Sequence, residues 1–245
     1  MRSYLSIFAV VALTVQASAA NPAASEVESA AKQIVGAWKL EFTTPDEVKR
    51  TPMVLVGRQY QKLVAWYVEK DRPESFKKVR LEDDTLLLTI RPNERKDVEV
   101  TFKARLGEQK NVCVGEATYQ SDDGDTGSWD FKGKRVSESD FDESEKWQLS
   151  FVTPDEQRHE ATITVVAQKD ELYGWYSSKD FELPSLKLSN DGDKVVMSVK
   201  ATTRDGANVD VTFRGTVEAD RVHGEAEYDL KGDTGRFPFT GQRKS

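Results

Sequence analysis

The feature of this sequence that most constrains its fold is an internal repeat. WKLEFTTPDE, which begins at Trp38, matches WQLSFVTPDE, which begins at Trp147, at seven of ten positions and at an offset of 109 residues. Because about 100 residues is a common domain size, the repeat predicts two domains of the same fold. Further matches lie at nearly the same offset: Trp66-Tyr67 with Trp175-Tyr176, VEVTFKARL from Val98 with VDVTFRGTV from Val209, GEATY from Gly115 with GEAEY from Gly224, and two copies of GDTG.

The N-terminal residues have the pattern of a targeting segment. Residues 1–20, MRSYLSIFAVVALTVQASAA, contain an Arg, a short apolar stretch and an A-x-A motif. This order is typical of a secretory signal peptide, and it predicts cleavage near Ala19 or Ala20. Residues 21–35 would then form an N-terminal linker. We expect the mature protein to be secreted or periplasmic and to have no membrane span.

Alternation of apolar and polar residues predicts strands throughout both repeats. The first repeat, residues 36–135, and the second, residues 145–245, are separated by an acidic, Ser-rich linker at 136–144. Strands are expected in the second repeat about 109 residues after those of the first. In the first repeat they are predicted near 37–43, 52–58, 62–69, 76–81, 85–90, 97–106, 111–119 and 128–135.

The short connections between these strands favour an antiparallel, up-and-down order. About eight such strands close naturally into a barrel, which removes the two edges of the sheet. The fold class predicted is therefore all-β, with two tandem antiparallel up-and-down β-barrels of about eight strands each. A seven-stranded immunoglobulin-like sandwich is the alternative, although its Cys…Trp…Cys spacing is absent from a chain with one Cys.

One pair of motifs resembles a known superfamily. Gly36-Ala37-Trp38 on the first strand and Arg135 on the last resemble the Gly-x-Trp…Arg signature of the calycins, which include lipocalins, fatty-acid-binding proteins and avidins. The resemblance implies that the Trp closes one barrel end and that the Arg packs across it. Trp147 and Arg243 occupy the matching places of the second repeat, where Glu145-Lys146 replaces Gly-x. The chain is also similar to secreted bacterial tandem-repeat proteins of unknown function.

Interior positions assigned from strand alternation are apolar and aromatic, which favours barrels filled by their own side chains. Four tyrosines are the candidate polar groups of any ligand pocket, the alternative being that they are ordinary core residues: Tyr67, Tyr119, Tyr176 and Tyr228. If Tyr67 and Tyr176 point inward, the preceding Trp66 and Trp175 must point outward. Three roles remain open for these two indoles: cover for neighbouring strands, burial between the two barrels, which we favour, or recognition of an outside partner.

Composition excludes several classes of function. The formal charge of -7 argues against nucleic-acid binding, and the single cysteine, Cys113, rules out an intrachain disulfide framework. His159 and His223 lack ligand partners at zinc spacing, and no Gly-x-Ser-x-Gly motif is present. We interpret the acidic cluster of Asp122, Asp123 and Asp125 as a solvated turn rather than a calcium loop. We therefore predict no catalytic residues, metal ligands or cofactors.

Three hypotheses about function remain. The first is an exported, non-enzymatic binding or interaction protein that takes a small apolar ligand or a protein partner. The second is a structural module of the envelope or extracellular space, with filled barrels and no ligand. A hydrolytic enzyme that uses His159 or His223 is the third and the least expected, since no catalytic constellation accompanies either residue.

Overall fold

A computed structural model describes residues 33–69, 72–108, 111–136, 143–154, 156–168, 171–203 and 206–244. The expected signal peptide, most of the N-terminal linker and most of the acidic linker lie outside these residues. Within the described ranges, no helix is both long and apolar enough to cross a membrane.

Strands make up most of both repeats. Those of the first repeat are β1 (Gly36–Thr43), β2 (Lys49–Arg50), β3 (Met53–Gln59), β4 (Lys62–Glu69), β5 (Arg72–Ser75), β6 (Lys78–Glu82), β7 (Thr85–Ile90), β8 (Val98–Leu106), β9 (Val112–Ser121) and β10 (Thr126–Val136). Those of the second repeat are β11 (Glu143–Val152), β12 (Arg158–Gln168), β13 (Glu171–Ser177), β14 (Phe181–Pro184), β15 (Lys187–Asp191), β16 (Lys194–Thr202), β17 (Asn208–Glu218), β18 (Arg221–Leu230) and β19 (Asp233–Lys244).

The strand pairing is antiparallel, and neighbours in the chain are neighbours in the sheet. In the first repeat β3 pairs with β4, β4 with β5, and β6 to β10 follow in order, while β1 pairs with both β3 and β10. In the second repeat β11 likewise pairs with β12 and β19. The antiparallel sheet is not closed. The predicted all-β, antiparallel fold is confirmed.

Period-two alternation in the sequence places one face of each strand in a core. In β8, for example, Val98, Val100, Phe102 and Ala104 are buried and the residues between them are more exposed. The first repeat has a core cluster that includes Trp38, Phe102 and Phe131. The second has a separate cluster that includes Trp147, Phe213 and Phe239. Burial of one face fixes the register, because a slip of one residue would expose the whole apolar set.

The described residues form two compact units, and their boundaries differ from those of the repeats at one segment. One unit contains the first repeat together with residues Asp180–Pro184, and the other contains the rest of the second repeat. Within the first unit, β14 pairs with the end of β3, where Phe181 lies opposite Gln59 and Glu182 opposite Arg58. A Cβ on Gly57 would lie 2.7 Å from the Glu182 carbonyl oxygen, so this approach requires glycine.

Candidate ligand-binding site

The second repeat encloses a cavity of about 330 Å³ at the end where Trp147 lies. Its walls are mainly apolar side chains that project from eight different strands, β11 to β13 and β15 to β19. They include Leu149, Ile163, Val165, Val195, Met197 and Phe213. A cavity of this volume is within the range of small-molecule sites, which are typically apolar with a few polar groups that orient the ligand.

Polar groups gather at the rim of this cavity. Arg243 lies opposite Trp147 in the pairing of β11 with β19, and its guanidinium carbon is 4.9 Å from the centre of the indole ring. Arg243 Nη1 is 3.2 Å from Glu145 Oε1, and the indole Nε1 of Trp147 donates a hydrogen bond to Glu145 Oε2 at 3.1 Å. One carboxylate therefore accepts a hydrogen bond from Trp147 and forms an ion pair with Arg243. The side chains of Arg243 and Glu145 are 44% and 39% exposed, so solvent reaches this cluster.

The matching position in the first repeat is almost filled. Its cavity has a volume of only about 20 Å³ and is lined by counterparts of the same residues, among them Trp38, Leu40, Val54 and Phe102. The additional lining residue is Ile34, which is 0% exposed and belongs to the core cluster. The N-terminal linker was expected to extend to residue 35, but the structure shows Ile34 as part of the first repeat's core.

Hydrogen bonds to backbone carbonyls hold Ile34 in place. Trp38 Nε1 donates to the Ile34 carbonyl at 2.9 Å, and Arg135 Nη1 donates to the Gln33 carbonyl at 2.8 Å. Arg135 Nη2 also donates to the Val35 carbonyl. The Arg135 guanidinium carbon lies 5.6 Å from the centre of the Trp38 ring, and burial lowers the pKa of this arginine. The two Arg–Trp pairs singled out in the sequence are thus in contact in both repeats.

Gly36 allows the chain to approach Arg135 this closely. Its φ is +138°, a conformation that side-chain-bearing residues rarely adopt, and a Cβ there would lie 3.1 Å from Arg135 Nη2. The aligned residue in the second repeat is Glu145, which lies in β11 opposite Val165. Because β11 stays in the sheet from Glu143 onward, the described chain before Trp147 does not enter the core of the second repeat.

Of the four tyrosines predicted to line a pocket, Tyr67 lines one, in the first repeat. That cavity has a volume of about 210 Å³ and also involves Arg50, Glu69 and Trp129. The Tyr67 hydroxyl donates to Glu69 Oε2 at 3.3 Å, and Arg50 contacts the same oxygen at 3.0 Å. Burial, followed by the charge of Glu69, raises the pKa of Tyr67. The indole Nε1 of Trp129 is buried and has no hydrogen-bond partner.

The other three tyrosines pack against residues of other strands in their own repeat. The Tyr119 ring covers Gly127 and the Tyr228 ring covers Gly235, since a Cβ on either glycine would lie within 3 Å of ring atoms. Tyr176 stacks on Phe213 with ring centres 6.2 Å apart, and burial raises its pKa. None of the four is among the described residues that line the 330 Å³ cavity. Its polar groups are Glu145 and Arg243 at the rim instead.

Trp66 and Trp175 lie on strands whose neighbouring residues face the cores. Ala65 and Tyr67 contact the first core cluster, and Tyr176 contacts the second. Trp66 is nevertheless only 6% exposed, and the indole Nε1 of Trp175 is buried without a hydrogen-bond partner. The assignment of both residues to an interface stays a prediction.

The two histidines considered for catalysis lie on different strands, His159 in β12 and His223 in β18. His159 Nε2 is 3.1 Å from the Thr153 hydroxyl, and its ring stacks on Phe151. His223 lies in β18 opposite Thr216 and Thr240. Across the described ranges, no three or more His, Cys, Asp or Glu side chains are grouped to hold a metal ion.

Cys113 is buried in the first core, where burial raises the pKa of its thiol to about 11.

The sequence singled out Trp147 and Arg243 but missed Glu145 and Ile34. The signal for Glu145 was present, because it replaces Gly36 of the first repeat two residues before the repeated tryptophan. For Ile34, an isolated apolar side chain in an Ala- and Glu-rich stretch carries no information about where it packs.

Comparison with known proteins does not place the chain in a family. No protein-family profile matches the sequence, and neither does any curated protein. Similar solved structures include a candidate outer membrane protein from Bacteroides fragilis, at 8% identity and a TM-score of 0.30, covering 88% of this chain and 99% of that one. A protein of unknown function of the DUF3598 family from Nostoc punctiforme is 12% identical with a TM-score of 0.27, covering 88% and 98%.

A third similar structure is the kievitone hydratase of Nectria haematococca, at 7% identity and a TM-score of 0.21, covering 89% of this chain and 92% of that one. Likeness at these levels does not assign a family or a function. The class defined by the fold is therefore an all-β protein with tandem antiparallel repeats.

Proposed function

We propose that this protein is an exported, non-enzymatic binding protein that holds a small apolar ligand in its second repeat. The observation that carries the proposal is the difference between two equivalent cavities, about 330 Å³ in the second repeat and about 20 Å³ in the first. Packed interiors leave few voids larger than a water molecule. A cavity that is open at this end of one repeat and nearly filled at the same end of the other is therefore more easily explained by a ligand than by poor packing.

The lining of the cavity supports the same proposal. Its walls are mainly aliphatic and aromatic, and its polar lining residues are Glu145, Ser189, Asn190 and Arg243, of which Glu145 and Arg243 form an ion pair. An apolar body would replace water along the walls, at about 25 cal/mol per Å² of apolar surface removed from water. Glu145 and Arg243 at the rim would orient a polar end of the ligand.

The proposal includes two finer assignments. Each repeat is a calycin-like barrel, which is supported by the pairing of first and last strands and by the Arg–Trp contact on those strands. The protein is secreted or periplasmic, which is supported by the signal-peptide pattern in residues 1–20.

A cavity-filling substitution tests the proposal. N-phenyl-1-naphthylamine, a neutral apolar dye that fluoresces in dry sites, should bind the wild-type protein with one site per chain. Val195→Phe and Val165→Phe each place a ring in the cavity and should abolish this binding while the protein stays folded. Val152→Phe is the matched control, because Val152 is 44% exposed and outside the cavity lining. Equal dye binding by all four proteins would contradict the proposal.

A second candidate function is a structural module without a ligand. The nearly filled interior at the Trp38 end of the first repeat favours it for that repeat. If wild-type protein purified from its native compartment retains no small molecule by native mass spectrometry and does not bind the dye, the structural role is the better account for both repeats.

A further inference from the structure

The first repeat contains a segment of its own chain in the position of a ligand. Ile34 inserts its side chain among the residues that line the cavity at the Trp38 end. The carbonyls of Gln33, Ile34 and Val35 accept hydrogen bonds from Arg135 and Trp38 at the rim. Residues 33–35 are therefore held as a bound peptide would be, through one apolar side chain and the backbone carbonyls around it.

The second repeat has the same receptor elements. Trp147 and Arg243 are the counterparts of Trp38 and Arg135, and they are stacked in the same way. The walls of the two cavities are built from aligned residues, such as Leu40 and Leu149. The described chain does not fill this cavity, because β11 continues in the sheet and pairs with β12 from Glu143 onward.

From this equivalence we infer that the second repeat binds an apolar peptide segment, with one large side chain in the cavity and its flanking carbonyls hydrogen-bonded to Trp147 and Arg243. The inference rests on the proposed binding function and names the class of its ligand. The cavity of about 330 Å³ is large enough for a side chain bigger than the isoleucine used in the first repeat.

Glu145 takes the place of the peptide carbonyls when no peptide is bound. One of its oxygens accepts a hydrogen bond from Trp147, and the other forms an ion pair with Arg243. The aligned residue of the first repeat, Gly36, has no side chain, so the corresponding donors of Trp38 and Arg135 bind backbone carbonyls. A bound peptide must therefore displace the Glu145 carboxylate. Removal of this carboxylate frees the donors, so it should strengthen peptide binding.

The peptide does not bind as an added strand. The part of β12 nearest the rim is already paired, with Ala167 opposite Glu143 and Val165 opposite Glu145. The peptide is then recognised only through its inserted side chain and the hydrogen bonds to its flanking carbonyls. A capped tripeptide is long enough to supply both.

The test uses the full chain and three capped tripeptides that differ in the central residue. N-acetyl-Gln-Ile-Val-amide reproduces residues 33–35, a second peptide has Phe at the centre, and a third has Ser. Titrations are followed by ¹H–¹⁵N spectra of the five tryptophan indole groups, with Trp147→Phe used to assign one signal. The Ile and Phe peptides should shift the Trp147 signal, and the Ser peptide should not. The Trp38 signal is an internal control that should not move, since Ile34 already occupies its site.

Glu145→Ala is the decisive variant. It should bind the Ile and Phe peptides roughly tenfold more tightly, which is the effect of one well-placed hydrogen bond. Weaker binding by Glu145→Ala would overturn the inference, because Glu145 would then be the group that holds the ligand. If the naphthylamine dye binds but no peptide shifts Trp147, the inference fails and the proposed function stands. If neither dye nor peptide binds, both fail.

Discussion

At the scale of single residues, the two repeats differ most at the position occupied by Gly36 in the first and Glu145 in the second. Gly36 lets residues 33–35 approach Arg135, and Glu145 instead supplies a carboxylate to the equivalent arginine. This substitution between the copies thus accompanies a nearly filled position at the Trp38 end of the first repeat and an open cavity at the Trp147 end of the second.

Gly36→Ala should lower the free energy of unfolding by about 1–3 kcal/mol. Its φ of +138° disfavours any side chain, and the new methyl group would crowd the Arg135 guanidinium. Denaturant unfolding measures the effect. Gly124→Ala is the control, because Gly124 has a φ of +92° but no atom within 4 Å of the added Cβ. If the two variants lose equal stability, crowding at Arg135 contributes nothing.

Cys113 should react slowly with thiol reagents. The thiolate is the reactive form, and burial raises the pKa of this thiol from 9.0 to about 11. At pH 8.5 the folded protein should react roughly 100-fold more slowly than the unfolded protein, as two pKa units imply. Because the folded state holds this proton more tightly, the stability from the neutral thiol is present below pH 9 and declines as the pH rises through 11. Equal rates with and without denaturant would contradict this burial.

At the scale of structural elements, the segment before β1 decides how the first core is completed. Ile34→Ala should lower the free energy of unfolding by about 2–5 kcal/mol, because it leaves a cavity in a packed core. Ile34→Val keeps most of the side chain and should cost only about 0.5–1.5 kcal/mol. Thermal and urea denaturation provide the comparison. A loss within about 0.5 kcal/mol for Ile34→Ala, as at an ordinary surface site, would show that the segment does not pack as described.

At the scale of the whole molecule, the repeat in the sequence and the compact units of the structure differ at β14. Its counterpart by alignment, β5, pairs with β4 of its own repeat, whereas β14 pairs with β3 in the unit of the first repeat. Leu183 in β14 is 1% exposed, and the Tyr60 amide donates to the Asp180 carbonyl at 2.6 Å.

Leu183→Ala should therefore destabilise the unit of the first repeat. We expect a loss of about 2–5 kcal/mol and faster hydrogen exchange at the Tyr60 amide, measured in the full chain. Leu188→Ala is the control, since Leu188 lines the cavity of the second repeat and should leave Tyr60 exchange unchanged. Unaltered Tyr60 protection in Leu183→Ala would mean that β14 does not stabilise the end of β3.

Local patterns were sufficient for the strands and for part of the site. Alternation and turn residues placed most strands within a few residues of their observed bounds, because the burial of one face depends on period-two order along a single segment. The short β2 and β5 were missed, since two to four residues carry too little alternation. Trp147 and Arg243 were found because they recur with their partners in both copies.

What fills each interior was decided only by tertiary structure. The aligned walls are apolar in both repeats, so composition alone favoured two filled barrels, yet the second cavity measures about 330 Å³. In the first repeat the equivalent position is occupied by Ile34, and the preceding residue, Gln33, is held by Arg135, which is distant in sequence. Alternation in the sequence indicates which face of a strand is apolar. It does not indicate which segment packs on that face, because this depends on the free energy of packing over the whole chain.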